Sequence, residues 1–201
     1  MAVEQGTYET LSERLWRTET AAAAALKWIV LAFAGALLIT VAAKIKVPFW
    51  PVHMSMQTAA ILLIGAAYGW RLGTLTVLLY IAQGAMGLPV FQGTPERGIG
   101  IPYMLGSTGG YLVGYVMAVG IVGWFAERGY DRSFAKIGPV MLLAGAVLYI
   151  PGLLWLAYLF GADKPILAWG LYPFILGDLT KVALAAAITA LGWRLFPSVR
   201  G

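Results

Sequence analysis

The chain has 201 residues, 60% of them hydrophobic and 11% charged, with a mean hydropathy of +0.79, whereas soluble domains carry about 25% charged residues, so the composition excludes a soluble domain and indicates an integral membrane protein. The 14 Lys and Arg against 9 Asp and Glu leave a formal charge of +5, which in a membrane protein encodes orientation and gives no reason to expect nucleic acid. With no cysteine and the single histidine His53, the chain offers no disulfide, no thiol nucleophile and no cysteine-ligated metal, nor is a histidine-based metal site or any other metal ligand expected.

Residues 1–24 are polar and read as a cytoplasmic, interfacial segment. Leu11, Leu15 and Trp16 at helical spacing predict a short interfacial helix there, with Glu13 and Arg17 as an i, i+4 pair. So long and acid-rich a start fits a cleaved signal peptide poorly, and the first apolar run is expected to be a retained span. Residues 25–197 read as one all-α membrane domain of six transmembrane helices, with spans at about 26–43, 52–68, 72–88, 103–125, 138–160 and 173–196, each near the length a bilayer requires.

Helix 1 carries small residues at i, i+4, Ala32 and Ala36, which suit either packing inside the bundle or a docking surface for another membrane protein. Between the first two spans, residues 46–57 hold two prolines and two aromatics, stiff enough to serve as a lid. Residues 87–102 form a loop too long and too rich in Gly and Pro for a simple turn, and its apolar content points to a binding element. In the fourth span Gly106, Gly110 and Gly114 recur every four residues and present a bare face for close helix packing, with Tyr111 placed among them to point into a pocket.

The sixth span contains Asp178 and Lys181. At i, i+3 both project from one helix face, about 5–6 Å apart at Cβ. Ionisable groups inside a span are costly and face a bundle interior or a wet cavity. The spacing alone is equally met by a structural ion pair and by two groups that share a ligand. Orientation follows from the other cations. Arg14, Arg17, Lys27, Arg71, Arg128, Arg132, Lys136, Arg194 and Arg200 fall on one side of a six-span layout, and Lys44, Lys46, Arg97 and Lys164 on the other. The richer side is the cytoplasmic one, so both termini are expected inside and the Asp178–Lys181 pair in the outer half. No phosphate-binding loop occurs, so the chain does not power transport with ATP by itself. With His53 as its sole imidazole and no paired catalytic groups, no catalytic residues are expected and the chain is not read as an enzyme.

Four ordered motifs coincide: Pro-Val-x-x-Ser-x-Gln-Thr at 51–58, Gly-Leu-Pro-Val-Phe at 87–91, Gly-Gly-Tyr-Leu-Val-Gly at 109–114 and Gly-Asp-Leu-Thr-Lys at 177–181. Together they resemble the BioY family, the biotin-specific substrate-binding (S) components of energy-coupling factor (ECF) transporters. The resemblance implies a six-helix S component of the cytoplasmic membrane that captures biotin on the outer side. It also implies, as partners, a transmembrane coupling protein and a pair of ATP-binding cassette ATPases beside the surrounding membrane lipid, with a homo-oligomer as another assembly and no cofactor. Asp178 and Lys181 match the family's helix 6 binding positions, Gln92 falls near its pocket-lining loop residue, and Tyr111 lies in its helix 4 motif. Ala32 and Ala36 are similar to the face that meets the coupling protein. The chemistry of biotin then suggests Asp178 as acceptor for the ureido N–H groups, Lys181 as donor to the ureido oxygen, and Arg97 near the wetter mouth for the carboxylate. Trp50, Phe91 and Tyr111 would supply apolar walls. The alternative is a solitary or proton-coupled secondary transporter of biotin or a related small carboxylate, with Asp178 titrating during the cycle.

Overall fold

The computed structural model describes residues 8–47, 54–96 and 98–196. It opens with α1 (Leu11–Leu15), started by a capping box in which Thr10 Oγ1 accepts from Glu13 N and the Glu13 carboxylate accepts from Thr10 N. That use of Glu13 removes it from the expected pair with Arg17, which instead lies 3.6 Å from Glu9. The next helix, α2 (Ala21–Lys44), is capped by Thr20. Its 24 residues reach about 36 Å at 1.5 Å per residue, enough to cross a hydrocarbon core of about 30 Å.

The small-residue face of α2 points inward. Ala36 is 0% exposed, and a Cβ added at neighbouring Gly35 would stand 2.6 Å from the Thr76 methyl and 3.1 Å from the Tyr68 ring. Ala32 is buried on the same face, while Leu26, Ile29, Phe33 and Leu37 are exposed on the other. Ala32 and Ala36 are therefore packing residues within the bundle, which corrects the expectation that they form a partner surface. The spacing satisfied both readings because both need backbones to approach closely, and here α3 supplies the approaching surface.

Two-residue strands, β1 (Lys46–Val47) and β2 (Met54–Ser55), pair antiparallel across the first outer connection, Lys46 opposite Ser55 and Val47 opposite Met54. Helix α3 (Gln57–Ala85) takes in most of both the second and the third expected spans, starting after 52 and ending before 88. Its backbone leaves helical angles at Gly69, with φ 77° and ψ 179°, a conformation that glycine adopts without a Cβ penalty. The arms on either side, 57–68 and 70–85, fold back on each other. A Cβ on Gly73 would lie 3.5 Å from Gly65 Cα, and Gln57 Nε2 donates to Tyr80 Oη at 3.1 Å, whereas an unbroken helix would separate these pairs by about 12 and 35 Å.

The chain continues through α4 (Gly100–Met104), α5 (Gly109–Ala126), α6 (Phe134–Phe160), α7 (Ile166–Gly170) and α8 (Ile175–Leu195), with 3-10 turns at Tyr130–Arg132 and Tyr172–Phe174. The expected fourth span is broken between α4 and α5, and the expected sixth begins two residues late, at Ile175. Among the described residues five stretches are long and apolar enough to cross a membrane: α2, α3, α5, α6 and the run Ile166–Leu195. Bare glycine faces bring α5 onto α6, where a Cβ on Gly110 would sit 2.3 Å from Pro151 O and one on Gly114 2.3 Å from Leu148 O. The packing role expected of this face is filled by Gly110 and Gly114, whereas Gly106 precedes α5 and its nearest neighbour is the Tyr103 carbonyl.

One end of the bundle gathers the N-terminal segment, the Gly69 turn, the α5–α6 connection and the end of α8. Tyr8 N donates to Glu127 O at 2.6 Å, Trp70 N to Glu127 Oε1 at 3.1 Å, and the Arg132 guanidinium lies over the rings of Tyr8 and Trp193. Asp131, 0% exposed, accepts from Trp193 Nε1 at 2.5 Å. Burial pushes its carboxyl up to about 6, against the opposing pull of the Trp193 bond and the Arg132 charge. At the other end stand the tip of α2, the loop after α3 and the start of α8.

Candidate functional site

Asp178 lies in the first turn of α8 and Lys181 one turn further on. Lys181 Nζ donates to Asp178 Oδ1 at 2.9 Å, the lysine side chain only 6% exposed and the carboxylate 19%. The second carboxylate oxygen, Oδ2, accepts from the Tyr149 hydroxyl of α6. A carboxylate in this turn also feels the positive end of the helix dipole. The pair is thus held from two helices, and each carboxylate oxygen keeps a further lone pair for a donor from outside.

Around this pair α5, α6, α7 and α8 enclose a cavity of about 320 Å³, the lower end of the range for small-molecule pockets. Tyr111 is fixed at its wall. Its hydroxyl donates to Gly170 O at 2.8 Å, and its ring meets Tyr149 edge-on at 6.0 Å. Tyr115, one turn along α5, also lines the cavity, its hydroxyl without a hydrogen-bond partner among the described residues. Trp169, Phe174 and Leu156 provide apolar surface, and Ser55, Thr58, Ser107 and Thr108 provide hydroxyls. A lining that combines an ion pair, hydroxyls and aromatic rings suits a ligand with a hydrogen-bonding head and an apolar body.

Gln92 reaches the cavity from the loop after α3, and that loop is firmly tied. Lys44 Nζ, at the tip of α2, donates to Phe91 O at 2.9 Å, Thr94 O at 2.8 Å and Thr94 Oγ1 at 2.7 Å. From the other side Tyr103 Oη donates to Gln92 O at 2.9 Å. Phe91 itself is not a wall of the cavity, which corrects that expectation. It is 1% exposed, stacked on Tyr103 at 4.8 Å and edge-on to Tyr80 at 5.4 Å. The ring turns into the core next to Gly84, so it supports the loop from behind while its neighbour Gln92 faces the cavity.

Of the residues singled out from sequence, Asp178, Lys181, Gln92 and Tyr111 are brought together at one cavity. Trp50 and Arg97 lie outside the described residues. Sequence reasoning missed Tyr149, Tyr115 and Trp169. The available signal for Tyr149 was a hydroxyl in the middle of an apolar run, and nothing local says which way it faces.

This arrangement defines a class: a polytopic helical membrane protein with a small cavity beside a buried ion pair among its helices. The chain belongs to the BioY family, whose profile matches residues 14–198. It is 36% identical over 151 residues to a probable biotin transporter BioY of Pyrococcus horikoshii, covering 75% of this chain and 86% of that one. A biotin transporter BioY of Thermotoga maritima is 33% identical over 151 residues, with the same coverage of 75% and 86%. Among solved structures, the S component for biotin from an ECF-type ABC transporter superposes with a TM-score of 0.71 at 24% identity, over 89% of this chain and 99% of that one, and so shares the fold.

Proposed function

We propose that this chain captures biotin from the outer side of the cytoplasmic membrane, as the substrate-binding component of an ECF-type transporter whose coupling protein and ATPases are separate chains. Membership of the BioY family and relatives named as biotin transporters support this reading. The observation that carries it is the Asp178–Lys181 pair, braced by Tyr149 at the wall of a cavity of about 320 Å³. Biotin offers two ureido N–H donors, a ureido carbonyl, an apolar bicycle and a carboxylate tail. In the proposed pose Asp178 accepts from the N–H groups, Lys181 donates to the ureido oxygen, and Tyr111, Trp169 and Phe174 cover the bicycle.

The same reading takes the two arms of α3 as separate crossings, giving six, with both termini in the cytoplasm. The folding back at Gly69 supports the count. The gathering of Arg71, Arg128, Arg132 and Arg194 at the end opposite the cavity supports the orientation.

Biotin affinity and melting temperature of Asp178→Asn, Lys181→Ala and a neutral double variant test the site. Losing one member of a buried hydrogen-bonded charge pair costs about 2–5 kcal/mol, so each single variant should bind more weakly by roughly one to several decades, at about 1.4 kcal/mol per decade. A pair with only a structural role gives the opposite pattern: single variants that melt earlier, and a double variant that recovers stability with affinity intact. A folded double variant with wild-type affinity would sink the assignment.

A further inference from the structure

Among the described residues three tyrosines line the cavity beside the ion pair, Tyr111, Tyr115 and Tyr149. Two of them have committed their hydroxyl protons to the protein: Tyr111 donates to Gly170 O and Tyr149 to Asp178 Oδ2. The third, half-buried Tyr115, has no hydrogen-bond partner among the described residues. A phenol inside a membrane span ordinarily finds an acceptor, because hydrocarbon offers none.

The Tyr115 ring is held in place by packing against both hydrophobic clusters of the core, one containing Tyr80 and Leu112 and the other Ala144 and Leu148. Helices α5 and α8 both start at the cavity, where Thr108 and Phe174 stand immediately before them. Tyr115 and Lys181 each lie six residues on from the first residue of their helix, about 9 Å further in. The Asp178 carboxylate is close enough for its charge to be felt at Tyr115. The uncommitted hydroxyl therefore belongs to the inner part of the cavity, beside the ion pair.

In the pose proposed above, on which this inference rests, Asp178 accepts from the N–H groups of the ligand head and Lys181 donates to its ureido oxygen. A carbonyl oxygen has two lone pairs, and one lysine contact leaves the second open. We infer that Tyr115 is a specificity-determining ligand contact, its hydroxyl donating to the ureido oxygen of biotin alongside Lys181 Nζ. The head is then read in full, by one acceptor for its N–H groups and two donors for its carbonyl. A ligand with no acceptor at that place leaves the phenol unpaired and binds correspondingly more weakly.

The test is calorimetric titration of the purified full chain and its Tyr115→Phe variant in detergent, with ligand-free melting temperatures measured beside it. Tyr115→Phe should bind biotin roughly two- to tenfold more weakly, the range expected for one net hydrogen bond. Without ligand it should melt no earlier than the wild type, because the hydroxyl it lacks has no protein partner. Desthiobiotin lacks the sulfur and biotinol the carboxylate, while both keep the ureido ring, so the variant should lose the same factor with each. Unchanged biotin affinity in Tyr115→Phe would overturn the inference, and is what a hydroxyl that only holds water predicts. So would a loss that vanishes with desthiobiotin or biotinol, which would move the contact to the sulfur or the tail. An earlier ligand-free melt, or failure to fold, would likewise overturn it by making the hydroxyl part of the fold. Asp178→Asn, titrated in parallel, keeps the failures apart. No biotin binding by the wild-type chain, or undiminished binding by folded Asp178→Asn, removes the reading on which the inference rests. Weakened Asp178→Asn beside an unaffected Tyr115→Phe removes the inference alone.

Discussion

Asp131 shows how one side chain can set the pH response of the whole bundle. It has no exposure to solvent, and its carboxyl is raised from 3.8 to about 6 chiefly by burial. Between those two values the folded chain holds a proton that the unfolded chain has released, so stability falls as pH rises through this window and levels off above it. At 1.36 kcal/mol per pH unit, ionising Asp131 within the fold costs about 3 kcal/mol. Melting curves of detergent-purified protein should therefore drop by several degrees from pH 4 to pH 7. Asp131→Asn, which keeps an acceptor for Trp193 Nε1, should lose that part of the slope, and an unchanged slope would place the titration elsewhere. The same scale shows what could be read from the chain alone. Asp178 and Lys181 stood out because charge in an apolar run has few bland explanations. Tyr149, which holds the other oxygen of Asp178, did not, because a tyrosine suits a buried wall, a headgroup contact or a hydrogen bond equally well. Phe91 and Gln92 are adjacent, and their sequence does not say which of them turns toward the cavity.

At the scale of elements, hydropathy marks the apolar runs, but geometry assigns their breaks and faces. Gly69 interrupts α3 with one residue, too short a signal to distinguish a hairpin from a kink by composition. Residues 105–108 part α4 from α5 through local hydrogen bonds, with Gly106 N donating to Tyr103 O at 3.0 Å and Gly109 N to Gly106 O at 3.1 Å, and local turn chemistry of this kind is weakly encoded. The alanines of α2 illustrate the limit of a small-residue stripe: the pattern reports that something packs closely there and is silent about what. Because Ala36 is fully buried, Ala36→Leu forces extra volume into a closed contact, and such overpacking costs about 1–3 kcal/mol. The expected result is an earlier melt together with weakened biotin binding. A stable variant with full affinity and a selective defect in assembly would restore these alanines to a partner surface.

For the whole molecule, the sidedness of charge becomes a statement about orientation. The absence of cysteine from the sequence makes it open to single-cysteine labelling. Lys136 and Asp163 are both exposed, at opposite ends of α6. With Asp163→Cys an impermeant maleimide should react on intact cells, and with Lys136→Cys only after the cells are opened. The reverse pattern would invert the bundle and place the cavity on the cytoplasmic side. Family membership could be read from four short motifs in order, whereas the cavity, which takes residues from three of them and Gln92 beside the fourth, depends on loops and turns whose course only the folded chain displays.

The cavity draws on residues from Ser55 to Lys181, and its ion pair comes only with α8. A ribosome delivers these parts in order, so while α2, α3, α5 and α6 are already in the bilayer the nascent chain still lacks both charges, Trp169 and Phe174. If the cavity is the biotin site proposed above, ligand retention begins only with insertion of the final helix, and a labelled ligand would report completed biogenesis of the chain as directly as it reports affinity.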